Sequence, residues 1–140
     1  KATIDTDKYV MGKSTLITPK KGINIKYLLA ILNSKLIDYY FKLLFISTHM
    51  SQGYVRYDIP YLEQLPIKIS SELQEKIINL VDKIISLNVK LNNLGDKITS
   101  DRAKIEEEIK RIDFEINELI YKLYNISNEE KKIIEESLKS

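Results

Sequence analysis

Apolar residues in the first third of the chain fall at Tyr27, Leu28, Ile31, Leu32, Leu36, Tyr39, Tyr40, Leu43 and Leu44. Steps of three and four dominate, the spacing of a helix with a broad apolar face, so one long helix is expected over Ile25–Phe45. Asn24 is placed to cap it, because its side chain can accept from the open N–H groups of the first turn. Asn33-Ser34-Lys35 interrupt the middle of this run with poor helix-interior residues. Small polar residues there suit close packing or a bond to neighbouring backbone better than ligand binding. Before the helix the pattern is short and β-rich: Lys13 to Thr18 (KSTLIT) favours a strand, Thr6-Asp7-Lys8 a turn, and Pro19-Lys20-Lys21-Gly22 a break. After it, Gly53-Tyr54-Val55-Arg56-Tyr57-Asp58 alternates, with Tyr54, Arg56 and Asp58 on one face and Val55 and Tyr57 on the other. Pro60 and Pro66 bracket YLEQL and restrict the residue before each, which reads as a rigid exit.

Beyond Ile69 the period changes. Leu73, Ile77, Leu80, Ile84, Leu87, Leu91 and Leu94 recur at steps of four and three, and Ile105, Ile109, Ile112, Ile116, Leu119 and Leu123 repeat the pattern. Such spacing is that of a coiled-coil seam. Ser71 with Gln74 fits a capping box at the start of the first helix, and Gly95 fits its end. Two helices of similar length on a short connection make an antiparallel hairpin. Ser127-Asn128-Glu129-Glu130 is a second capping box, opening a short last helix through Ile133, Ile134 and Leu138. The expected fold is therefore α+β. A small mixed β-sheet packs on one long helix, followed by an antiparallel coiled-coil helical hairpin and a short C-terminal helix. Residues 1–69 form one region, expected to be incomplete at its N-terminus, and residues 70–140 the hairpin region.

Composition narrows the classes. Among 140 residues there is no cysteine and one histidine, which rules out disulfide scaffolds, thiolate metal sites and histidine-rich metal sites. The absence of cysteine fits a reducing cytoplasm. No run of about 18 apolar residues exists, so no membrane partner is expected. The net charge of +2 hides an asymmetry: residues 1–68 carry ten Lys/Arg against five Asp/Glu, and the remainder twelve against fifteen. Two readings stand for it: a basic front that meets a polyanion, or Lys-rich composition that only keeps the protein dissolved.

The run YLLAILNSKLIDYYF, the later GYVRYDIPYLEQLPI and the tail INELIYKLYNISNEEKKIIEE together resemble a DNA target-recognition module. They are similar to the TaqI-type C-terminal specificity domain of single-chain restriction-modification enzymes, and more distantly to type I specificity subunits. The resemblance covers about residues 2–136. It implies reading of a short double-stranded DNA sequence so that an attached methyltransferase or endonuclease acts there, in a type IIG-like parent. Lys13, Ser14, Lys20 and Lys21 are then candidates for phosphate contact, since lysine acts as a mobile point charge. Ser47, His49, Ser51, Gln52, Tyr54 and Arg56 are candidates for contact with bases, Arg56 being suited to guanine and Gln52 to adenine. For Arg56 a second reading stands beside this one, an ion pair with Asp58 or Glu63 that holds the chain end.

No active site is read in this chain. The three prolines are not adjacent, so the Asx-Pro-Pro-aromatic motif of an amino-methyltransferase is missing, and the four glycines give no G-x-G. Glu129-Glu130-Lys131 has the letters of a nuclease site but opens a helix. No cofactor and no metal are expected here; S-adenosylmethionine and magnesium belong to a catalytic part elsewhere. The expected partners are duplex DNA and, through the hairpin, the enzyme's own methyltransferase or nuclease region or a second copy. The rival reading is a protein–protein interaction domain that assembles by its coiled coil and binds no DNA.

Overall fold

Why the chain turns where it does is decided by a handful of polar side chains at helix ends. In the computed structural model the described residues are 2–5, 15–47, 59–95 and 99–139, and the regular elements among them are all helices. They are α1 (Ile25–Leu32), α2 (Lys35–Ser47), α3 (Ile59–Leu62), α4 (Ser71–Leu94), α5 (Ser100–Leu123) and α6 (Asn128–Ser137).

The expected α+β class is therefore corrected: the described residues contain no strand and no sheet. Thr15 to Thr18, expected as strand, is irregular, with Leu16 88% and Ile17 38% exposed. Strand propensity is a preference for a paired, half-buried surface, and among the described residues no strand lies beside this segment. Asp5 is likewise irregular, while the whole Thr6-Asp7-Lys8 turn, Lys13, Ser14 and the alternating stretch at Tyr54–Tyr57 lie outside the described residues.

The single long helix expected over Ile25–Phe45 is also corrected, to two. Asn24 caps α1 as expected, its side chain accepting from Lys26 N–H at 2.8 Å. α1 stops at Asn33, whose N–H bonds back to Leu29 C=O at 3.0 Å. The Asn33 side chain then pairs with Ala2 backbone in both directions: Ala2 N–H donates to Oδ1 at 2.7 Å and Nδ2 donates to Ala2 C=O at 2.9 Å. Ser34 is buried. Its hydroxyl donates to Ile31 C=O at 2.7 Å and accepts from Ile37 N–H at 3.3 Å, closing one helix and opening the next. Local side-chain bonding competes with the helix ladder here and wins.

The hairpin forms, with α4 and α5 each 24 residues and about 36 Å long at 1.5 Å per residue. The cap of α4 is Ser70, one residue before the expected Ser71, accepting from Leu73 N–H at 3.4 Å. Gly95 ends α4 at φ +64°, and Thr99 caps α5. Ser127 and Glu130 make the expected reciprocal capping box of α6. The stripe positions Leu73, Ile77, Leu80, Leu87, Ile112, Ile116 and Leu123 are buried. So are Val81, Ile120 and Tyr121, which lie off that stripe. They are covered because α1 packs on α4, and α2 packs on α5 and α6. One core thus takes Tyr27, Ile31, Ile37 and Phe41 from the front helices and Ile77, Ile112 and Ile120 from the hairpin.

Candidate nucleic-acid interface

Lys20 and Lys21 are exposed on a tight turn just before α1. Ile23 N–H donates to Lys20 C=O at 3.0 Å, and Gly22, third in the turn, has φ +92°. That backbone conformation favours glycine, and nothing lies within 4 Å of where a Cβ would stand, so the requirement is conformational rather than steric. The turn thus presents two adjacent ammonium groups to solvent. Ser47 is the last residue of α2. The other sequence candidates, Lys13, Ser14, His49, Ser51, Gln52, Tyr54 and Arg56, lie outside the described residues. The structure therefore brings Lys20 and Lys21 together and places Ser47 at the point where α2 ends.

Other lysines of the basic front face inward, toward the acidic back. Lys26 of α1 pairs with Asp82 of α4, and Lys35 of α2 pairs with Glu135 of α6 at 3.1 Å. The Lys42 ammonium donates to Ser137 C=O at the end of α6. Part of the charge asymmetry seen in the sequence is thus complementarity between the two halves of one molecule. Lys20, Lys21 and Lys68 are the exposed cations of the front among the described residues.

Two polar arrangements escaped the sequence reading. The first is Asn117 of α5, buried beneath the start of α2. Its Oδ1 accepts the N–H of Lys35, the first residue of α2, at 2.8 Å, and its Nδ2 donates to Asp113 C=O at 2.8 Å. The available signal was an uncharged asparagine beside Ile116 and Ile120 on the apolar face of an otherwise charged helix. The second is a pair of tyrosines on the connection from α3 to α4. The Tyr27 hydroxyl donates to Lys68 C=O at 2.8 Å. The Tyr124 hydroxyl donates to Pro66 C=O at 2.7 Å and accepts from Lys68 N–H at 3.2 Å. Burial pushes the pKa of both above the ordinary tyrosine range, with bonds from nearby backbone pulling the other way.

At the α5–α6 contact, Tyr121 is buried and its hydroxyl has no hydrogen-bond partner among the described residues. Its pKa is pushed up to about 12, first by burial and then by Glu135 and Glu118. Lys131 pairs with Glu118 and lies 5.6 Å from the ring centre of Phe114 and 5.7 Å from that of Tyr121. These groups are neutral or internally paired, an arrangement suited to holding helices together rather than to chemistry. No helix among the described residues is long and apolar enough to cross a membrane.

No curated protein and no solved structure matches the chain. The tail motif around α6 lies outside the one family match. The front of the chain, residues 1–67, which holds the Lys20-Lys21 turn, α1, α2 and α3, matches the TaqI-like C-terminal specificity domain family that its sequence motifs resemble.

Proposed function

We propose that this chain is the sequence-reading part of a restriction-modification enzyme, holding a short duplex DNA site so that a methyltransferase or nuclease region acts there. The observation that carries the reading is the match of residues 1–67 to a specificity domain family. The exposed lysine turn supports it, since two mobile cations on a rigid turn suit phosphates and carry no base preference. Base reading is assigned to the stretch from Ser47 through His49, Ser51, Gln52 and Tyr54 to Arg56, with Lys13 and Ser14 as further backbone contacts. The hairpin is assigned the role of an arm toward the catalytic region or a second copy.

Duplex binding, measured against salt, tests the reading. Binding should weaken as salt rises, and replacing Lys20 and Lys21 together by Ala should lower the log–log slope by roughly two units while weakening all sequences alike. Arg56→Ala should instead relax one position of the preferred site, at a cost of about 1–3 kcal/mol. Absence of binding to any mixed-sequence duplex at low salt would sink the reading and favour a protein-interaction role.

A further inference from the structure

α2 is the element that delivers the chain to Ser47, and its start is not held by its own neighbours alone. The N–H groups of a helix's first turn have no partner within the helix and must find one elsewhere. Ser34 supplies a local acceptor to Ile37 N–H at 3.3 Å. The acceptor for Lys35 N–H comes from α5, 82 positions away in sequence: Asn117 Oδ1, at 2.8 Å. Asn117 is 3% exposed, and its amide is oriented by the bond from Nδ2 to Asp113 C=O at 2.8 Å. An oriented amide in a buried setting leaves little freedom for the backbone it bonds. Two further ties act on the same helix from α6. The Lys35 ammonium pairs with Glu135 at 3.1 Å, and the Lys42 ammonium donates to Ser137 C=O. Buried Phe41 lies between them in the sequence of α2. The back half, beyond the family match at residue 67, thus grips the front helix at its first residue and again five residues before its end.

We propose that Asn117 is a positioning residue for sequence discrimination. By capping α2 from α5 it sets the axis along which the chain is delivered at Ser47, and so the register of the reading segment on DNA. Lys35 and Lys42 belong to this grip and do not contact phosphate. The inference rests on the DNA-reading role proposed above. It extends that role to a residue in the hairpin, a region otherwise assigned to docking.

The test uses the full-length protein and two substitutions of nearly equal volume. Both lose the donor to Asp113 C=O; Asn117→Leu also removes the acceptor, whereas Asn117→Asp keeps an oxygen facing Lys35 N–H. Three quantities are measured: the affinity ratio between the preferred duplex and one changed at a single base pair, the salt slope, and the urea midpoint. In Asn117→Leu the ratio should fall about tenfold, the size expected for one lost hydrogen bond, with the salt slope unchanged. In Asn117→Asp the ratio should stay close to that of the unsubstituted protein. A folded Asn117→Leu protein with an undiminished ratio overturns the proposal, as does an equal fall in both variants. Should Asn117→Leu fail to fold, the charge exchange decides. Lys35→Glu alone should lower the ratio, and adding Glu135→Lys should restore it. A loss of affinity for all duplexes that Glu135→Lys does not restore would make Lys35 a phosphate contact and overturn the grip. If the unsubstituted protein binds DNA and discriminates while its variants do the same, only this inference falls. If it does not bind DNA at all, the functional reading falls first.

Discussion

The two ends of the hairpin share one pattern and have different surroundings. Leu123, at the base, is 3% exposed and Ile112, halfway along α5, 1%, whereas Leu94, at the tip and on the same kind of stripe position, is 37% exposed. From the base to the middle of the hairpin α1 packs on α4 and α2 on α5, so positions off the stripe such as Val81, Ile120 and Tyr121 are buried as well. Toward the tip only the two helices face each other, and Ile105 and Leu91 are half-buried. A heptad pattern states which residues face the partner helix; how deeply they are buried depends on what else arrives. Ile84 follows the same stripe pattern as Ile112 and is only half-buried.

Truncations along the stripe should expose that difference most strongly. Ile112→Ala should cost about 2–5 kcal/mol, whereas Leu94→Ala should cost a small fraction of that, read from urea unfolding. Ile84→Ala should fall between them. Equal losses at Ile112 and Leu94 would mean that the front helices contribute no burial to the hairpin away from its tip.

A smaller effect of opposite sign is expected from Tyr121. A buried hydroxyl without a partner costs about 1–3 kcal/mol, so Tyr121→Phe should stabilise the protein at neutral pH by up to that amount. The same residue shapes the alkaline limb. Its pKa is raised from 10 to about 12, so the folded state retains the proton that the unfolded chain releases. The stability this supplies is fully present below pH 10 and is lost as pH rises toward 12. Tyr27 and Tyr124 are shifted in the same direction, so Tyr121→Phe should flatten the decline without abolishing it. An unchanged slope would remove Tyr121 from the account.

The smallest effect belongs to the tip. Arg102 pairs with Glu106 one turn on, at 2.9 Å, with both side chains partly exposed. Glu106→Gln should cost no more than about 0.5 kcal/mol and should cost nothing measurable in high salt. A loss as large as that at Ile112 would mean that the tip is held by charge rather than left lightly packed.

Much of the helical pattern was legible residue by residue. The caps at Asn24 and Ser127, the stop at Gly95 and the stripes of α4 and α5 all follow from interactions that span four residues or fewer. Such signals survive any rearrangement of the rest of the chain, which is why the hairpin and last helix were expected where they occur. The error at Ser70, one residue from the expected cap, is the usual resolution of a pattern that two adjacent serines satisfy equally.

What lay beyond the sequence were the choices that need a distant partner. Thr15 to Thr18 has strand propensity, but no strand among the described residues receives it. Asn33 and Ser34 read as tolerated polar residues in one helix. They divide two, because Ala2 backbone and Asn117 are at hand to bond the open ends. The basic front read either as a surface for a polyanion or as solubilising charge, yet Lys26, Lys35 and Lys42 turn toward Asp82, Glu135 and the end of α6. Of the candidate contacts, the sequence alone identified the turn at Lys20-Lys21, since glycine at Gly22 is a local requirement. Local bonds and helical spacing are written in neighbouring residues. Pairing, burial depth and the destination of a charge depend on residues 30 to 100 positions away, and only the folded chain brings those together.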